Sequence, residues 1–295
     1  MTPHLLVAGS VALDTLEGAF GHVEDELGGS AVYFSLAASL VRPVSVVAPV
    51  GEDGFDRLRD ALAGRDIDLG GVSVLDAPTY RWKARDAGGR NLDLGNRDSI
   101  YDRWTPAVPE RFAGWAFVSS MRPDRQLQAL RGLRAAGATL LAADAMLSYV
   151  RSRPDTLTEI LGLCDWYFCN QDELQALGGS DPEQFRRRHR MRGLVVKSGP
   201  GGIDVLTEGR RFHLPALVVQ PVVDSTGAGD SVAGAMLARW SLAEGDPSQL
   251  EEAARWGVAC ASITIEEVGL RALRRATPER LRVRVSSTAA SRGSS

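Results

Sequence analysis

The sequence predicts an α/β fold built on a mostly parallel sheet covered by helices on both faces. Three observations predict it. Apolar runs such as Leu5–Gly9, Val44–Val50 and Leu194–Lys197 are nearly continuous rather than alternating, the pattern of strands buried on both faces. Amphipathic stretches separate them, as in Phe55–Arg65, where Phe55, Leu58 and Leu62 share one helical face. The 295 residues are enough for one large domain of this kind.

Leu5–Gly9 reads as the first buried strand. Gly28-Gly29 makes a tight turn into a helix over Ser30–Leu40. Val44–Val50 is a strand and Phe55–Arg65 a helix. Thr79–Ile100 is polar and irregular, with Gly88-Gly89 and Gly95-Asn96 as turn signals, and Thr79–Ala84 alternates in polarity. This stretch reads as a small β-flap leaving the main sheet. Alternation then resumes: strand Trp115–Ser119, helix Arg125–Ala136, strand Ala138–Ala143, helix Thr156–Leu163 and strand Trp166–Cys169. A short helix over Gln171–Leu177, a helix over Asp181–Arg192 and strand Leu194–Lys197 follow. A strand pair, Ile203–Leu206 with Arg211–Leu214, and a strand-like run Leu217–Val223 come next. Two long helices, Ser231–Leu242 and Gln249–Glu267, close the fold. The small polar residues 286–295 predict a disordered tail, so the domain is read as 1–285. In such folds the crossovers are right-handed and ligands bind at the carboxyl ends of the strands.

A formal net charge of -3 gives no broad attraction to nucleic acid or an acidic membrane. The Arg186-Arg187-Arg188 run reads as a solvated helix face. No apolar run reaches membrane-spanning length, and Met1–Ser10 begins a strand rather than a charged leader. Cys164, Cys169 and Cys260 are odd in number and form no zinc or redox spacing, which predicts buried thiols in a reduced, cytoplasmic protein. His4, His22, His189 and His213 are scattered without metal-ligand spacing. A P-loop, a dinucleotide fingerprint and a hydrolase elbow are absent.

The chemistry concentrates in Asp224-Ser225-Thr226-Gly227-Ala228-Gly229-Asp230, ahead of an apolar helix. Small residues there let backbone N–H groups converge at a positive helix terminus, which can hold phosphate oxygens. A carboxylate at Asp230 can take the proton of an attacking hydroxyl. The bland alternative is a glycine turn with Asp230 as an N-cap.

At these residues the sequence resembles the ribokinase-like, or PfkB-type, carbohydrate kinases, whose signature is D-[ST]-x-G-A-G-D. Further motifs follow the family's order over most of the chain. Gly28-Gly29 resembles its N-terminal glycine signature, and Asp14 its hydroxyl-holding aspartate. Asn170-Gln171-Asp172-Glu173 resembles its Asn-x-x-Glu motif, and Lys197–Gly202 its glycine-rich turn beside the nucleotide. The resemblance implies a three-layer sandwich with a small β-lid, formed by residues of about 15–27 and 79–100. It implies transfer of the γ-phosphoryl group of Mg-ATP to a hydroxyl of a small sugar-like substrate. Asp230 would be the base, with Gly227, Ala228 and Gly229 as the anion hole. Asp14, Gly28, Gly29, Tyr33 and Asp144 would face the substrate. Asn170, Lys197, Gly199, Gly202 and Thr226 would face the nucleotide, and Glu173 would meet magnesium through water. A monovalent cation is admitted without assigned ligands, and the protein is expected as monomer or homodimer.

Local alternatives stand beside these roles. Asp14 can cap a turn, Asn170 and Glu173 can form a capping box, and Gly199 and Gly202 can make a plain hairpin turn. Asp144 can be an ordinary strand-end aspartate. Trp256, Cys260 and Ile263 lie at helical spacing and read as core. Tyr33 departs from the family, which commonly has a sugar-contacting asparagine there. It keeps one hydroxyl but lacks an amide's paired donor and acceptor. A nucleoside or inositol acceptor is therefore an alternative to a simple sugar, with Tyr33, Tyr80 and Trp82 available to stack on a ring. A catalytically idle, ligand-binding relative is the alternative of another class.

Overall fold

The computed structural model describes residues 4–88 and 91–290; Gly89, half of one predicted turn, lies outside them. In chain order the first elements are β1 (His4–Ala8), β2 (Ala12–Gly18), β3 (Gly21–Gly28), α1 (Ser30–Ser39), β4 (Val44–Gly51), α2 (Glu52–Leu62) and β5 (Ile67–Leu75). Next come β6 (Tyr80–Asp86), β7 (Asn91–Arg97), β8 (Gly114–Val118), α3 (Pro123–Ala136), β9 (Leu140–Ala143), α4 (Leu147–Ser152) and α5 (Pro154–Leu163). The rest are β10 (Trp166–Asn170), α6 (Gln171–Ala176), α7 (Pro182–Arg188), β11 (Gly193–Lys197), β12 (Ile203–Thr207), β13 (Arg210–Leu214), α8 (Ala228–Leu242), α9 (Leu250–Thr264), α10 (Arg271–Arg275) and α11 (Pro278–Ala290).

Nine strands form the main sheet in the order β13-β12-β11-β10-β9-β8-β1-β4-β5. From β5 to β11 neighbours are parallel; β12 and β13 add an antiparallel edge. The central strands are apolar because helices cover both faces. On one face α1, α8 and α9 pack over Phe117 and Phe168, with the Phe34 and Phe117 rings stacked at 4.8 Å. On the other, Leu130 of α3, Ile160 of α5 and Phe185 of α7 pack over Val118, Leu141 and Leu194.

A second, four-stranded sheet has the order β3-β2-β6-β7. It takes in Ala12–Gly28 as well as the predicted flap. Its body-facing side buries Leu16 and Ala84 against Val268, with Trp82 and Val223 alongside.

Several elements differ from expectation. Leu217–Val223 is not a strand: Pro215 precedes it and Pro221 lies within it, neither with an N–H to donate, and Val218 is exposed. β5, α4, α10 and α11 were not expected, and β2 and β3 widen the lid segment expected over about 15–27. The helix expected over Asp181–Arg192 ends at Arg188, and Arg190 has a positive φ of 56°. The last helix, α11, runs on through Ala290, into the stretch expected as a disordered tail; 291–295 lie outside the described residues.

Candidate active site

The carboxyl ends of the parallel strands and the start of α8 converge on one region. Gly227 is the N-cap of α8, with φ 73°, and Ala228, Gly229 and Asp230 form its first turn. Asp230 is therefore the third helical residue and not the N-cap. A left-handed φ suits glycine, and a Cβ on Gly227 would collide with the Tyr33 ring. Asp224, 1% exposed, braces the turn: its carboxylate accepts from Thr226 N–H (2.9 Å) and Thr226 Oγ1 (2.7 Å), and from Gly269 N–H (2.8 Å). Ala228 N–H donates to Ser225 O at 3.3 Å. The N–H groups of Gly227 and Gly229 have no acceptor among the described residues. Two free donors at a positive helix end make an anion cradle.

Four charged side chains from different parts of the fold stand around this cradle. Asp144 follows β9, Glu173 sits in α6 after β10, Lys197 ends β11, and Asp230 comes from α8. Burial pushes the Asp230 carboxyl well above the usual range, and the Asp144 charge adds to it while Lys197 opposes. Burial also raises Asp144 to about 6 and Glu173 to about 7, each against the pull of Lys197. At Lys197 burial favours the neutral amine, but Asp144, Glu173 and Asp230 outweigh it and the ammonium is held more firmly. Lys197 makes no direct ion pair among the described residues.

Glu173 and Asn170 form a capping box: Glu173 N–H donates to Asn170 Oδ1 and Asn170 N–H to Glu173 Oε2, both at 2.8 Å. Gly199 and Gly202 have φ values of 54° and 87° in the turn after β11, where a Cβ on Gly202 would strike the Leu214 carbonyl.

Asp14, 2% exposed, lies beside Gly28, where a Cβ would collide with its carboxylate. Gly29, φ 99°, leads into α1. Burial raises Asp14 well above the usual range, helped by Asp224 and Glu26. Buried Asp14 Oδ1, Asp144 Oδ1 and Tyr33 Oη lack hydrogen-bond partners. Burial and the charges of Asp224, Asp14, Asp230 and Glu26 hold the Tyr33 hydroxyl protonated. The second sheet reaches this site: Asn91 Nδ2 donates to Thr226 Oγ1 (3.0 Å) and Ser225 Oγ to Asp86 Oδ2 (2.9 Å). Glu26, Asp86 and Asn91 went unnoticed as site residues, since only the register of the second sheet brings them near.

The chain is similar to known kinases over most of its length. The model of the pfkB family carbohydrate kinases matches residues 13–276. An ATP-dependent ribose-1-phosphate kinase of Halopiger xanaduensis is 29% identical, covering 83% of this chain and 82% of its own. A cytidine kinase of Thermococcus kodakarensis is 28% identical, covering 90% and 97%. The aminoimidazole riboside kinase of Salmonella enterica, solved with aminoimidazole riboside and an ATP analog, superposes with TM-score 0.76 at 22% identity, over 96% of this chain and 99% of that one.

The chain thus belongs to the pfkB family of carbohydrate kinases. It is an ATP-dependent phosphotransferase whose acceptor is a hydroxyl of a sugar or nucleoside.

Proposed function

We propose that Asp230 is the general base and that the first turn of α8, with Lys197, holds the phosphoryl group in transfer. The observation that carries this is the pairing of two free N–H donors with a raised carboxyl in a single helical turn. A carboxylate whose proton affinity is raised is a better acceptor for a hydroxyl proton. The acceptor oxygen bonds to the γ-phosphorus as the bond to the β–γ bridging oxygen breaks. Its proton passes to Asp230, and ADP leaves with the bonding electron pair. Gly227 and Gly229 N–H meet the equatorial oxygens, and Lys197 opposes their charge. Ala228 contributes shape more than a donor, since its N–H is already engaged.

Asp14, Tyr33 and Asp144 offer unpartnered polar atoms for substrate hydroxyls, with Gly28 and Gly29 leaving room beside them. Asn170, Gly199, Gly202 and Thr226 line the nucleotide side. Among the described residues, no three His, Cys, Asp or Glu side chains converge as a metal cage. That fits Mg2+ carried by ATP, which needs few protein ligands. Glu173 has one oxygen fixed by Asn170, so its reach to the ion is through water. When bound, Mg2+ neutralises phosphate charge and orients the γ-phosphoryl group.

Among the described residues, no helix is long and apolar enough to cross a membrane. Three buried free thiols fit a reduced cytoplasmic setting, and the protein acts on small molecules as monomer or homodimer.

The test is ADP release from Mg-ATP with a panel of sugars, nucleosides and inositols, beside an Asp230→Asn control. Acceptor-dependent release lost by about 100-fold or more in the variant supports the assignment. Full activity in Asp230→Asn overturns Asp230 as base.

A further inference from the structure

The second sheet separates charge between its two faces. Directly opposed residues in a sheet share a face, and neighbours along a strand alternate. Glu26 of β3 opposes Asp14 of β2, which opposes Trp82 of β6, which opposes Asn96 of β7. This row lies on the side that packs against the body, as Leu16, Ala84 and Trp82 do. Past a register shift, Asp93 opposes Ala84 on the same side and accepts from Trp82 Nε1 at 3.1 Å. Asp86, opposite Asn91, reaches the body through Ser225.

The cations occupy the alternate positions. Arg81, Lys83 and Arg85 of β6 lie in register with Leu13, Thr15 and Glu17, and Arg97 opposes Arg81. Lys83 and Arg85 pair with Glu17, and Arg81 with Asp25 and Asp53. On the body-facing side the described strands carry Glu26, Asp14, Asp93 and Asp86 and no lysine or arginine. The charge of Asp224 reaches Asp14, and those of Asp224, Asp14, Asp230 and Glu26 meet at Tyr33. Arg271 is tied to Glu26 at 3.2 Å, and Lys197 stands at the phosphoryl end beside Gly229.

We propose that this acidic inner face selects an uncharged, hydroxyl-rich acceptor and rejects sugar phosphates and sugar acids. Carboxylates accept hydrogen bonds from hydroxyl groups, and Asp14 Oδ1, buried without a partner, is free to do so. Trp82 supplies an apolar ring face between Asp14 and Asn96. An anionic acceptor would place its charge among carboxylates, with no lysine or arginine on the inner face of the described strands, and such like-charge contacts are strongly rejected. The ribose-1-phosphate specificity of one relative is therefore not carried over to this chain.

The inference rests on the kinase reading of the same site, and the test separates the two. Initial rates with Mg-ATP are measured for D-ribose, D-fructose, cytidine and myo-inositol against ribose 1-phosphate and 2-dehydro-3-deoxygluconate. Binding of each compound is measured in parallel by calorimetry. The expected result is a kcat/KM at least about 100-fold higher for the best uncharged compound than for either anion. Glu26→Gln should shrink that ratio by about 10-fold, because a carboxylate is gone and Arg271 is released from it. Turnover or binding of an anionic compound on a par with the uncharged ones overturns the inference and leaves the kinase reading intact. Selective binding of an uncharged compound without any ADP release supports the inference and sinks the kinase reading. Failure of every uncharged compound to bind overturns the inference.

Discussion

The ammonium nitrogen of Lys197 lies 2.8 Å from the point where a Cβ on Gly229 would sit, with its Cδ and Cε both 3.4 Å from that point. The glycine thus makes room for the lysine. Gly229→Ala should displace the ammonium and lower kcat by about 10- to 100-fold, the scale of weakening one charge contact to a transferring group. Lys197→Met should reproduce that loss. Steady-state kinetics check it: a Lys197→Met variant with wild-type kcat would show that Lys197 does not serve the phosphoryl group.

Tyr33 should govern the acceptor and not the nucleotide. Its ring packs on Gly227 and its buried hydroxyl lacks a partner. An unsatisfied buried hydroxyl costs about 1–3 kcal/mol, so Tyr33→Phe should stabilise the ligand-free protein by about 1 kcal/mol. The same change should raise the acceptor KM several-fold and leave the ATP KM unchanged. Thermal unfolding and bisubstrate kinetics measure both. A shift in the ATP KM alone would move Tyr33 to the nucleotide side.

The motif around Asp230 was legible because it is contiguous: seven neighbouring residues carry the turn, the free N–H donors and the buried carboxyl. The main sheet was legible because strands buried on both faces write uninterrupted apolar runs. The second sheet was half hidden for the opposite reason. β2 and β3 mix Asp14, Glu17, Glu24 and Glu26 into short alternating runs, since Asp14 and Glu26 share the body-facing side with Leu16 while Glu17 stands on the opposite one. β5 was missed because Gly70-Gly71 interrupts it; a Cβ on Gly71 would stand 2.6 Å from the Val46 carbonyl oxygen, so the gap is a packing requirement. The meeting of Lys197 with Gly229, or Glu26 with Asp14, comes from strand register, which a linear reading does not contain.

The contacts between the second sheet and the anion cradle should couple closure to chemistry. Asn91→Ala removes the bond to Thr226, and Ser225→Ala removes the bond to Asp86. Each is a partly buried bond worth about 1 kcal/mol. Their joint loss should lower kcat by several-fold and raise the fraction of ATP hydrolysed without acceptor, as water gains access. The ratio of ADP formed to acceptor phosphorylated reads this directly, and an unchanged ratio in the double variant would dissociate the sheet from catalysis.

Glu173→Gln keeps an acceptor for Asn170 N–H but removes a buried charge. The folded carboxyl is raised to about 7 from an ordinary 4.5, so the folded state holds the proton more tightly than the unfolded one. Stability from this group is complete below the unfolded value and is lost as pH rises through the folded one. The variant should therefore gain on the order of 3 kcal/mol over wild type at pH 8 and almost nothing at pH 4. Urea unfolding at the two pH values checks it, and an equal gain at both would show that charge is not the cause.

Asp230 gives a pair of predictions with opposite signs. Its carboxyl is raised first by burial, then by Asp144, and is lowered by Lys197. A general base must be deprotonated to act, so kcat/KM should fall as pH drops through that raised value. Asp144→Asn removes the neighbouring like charge, lowers the Asp230 value and should move the acid limb to lower pH. Lys197→Met removes the neighbouring cation, raises the value and should move the same limb to higher pH. Both variants lose rate, so rate alone does not tell them apart; the direction of the limb does. Opposite displacements would identify the titrating group as the one lying between these two charges. A limb that stays fixed in both variants would assign the titration to another group and remove the pH argument for Asp230.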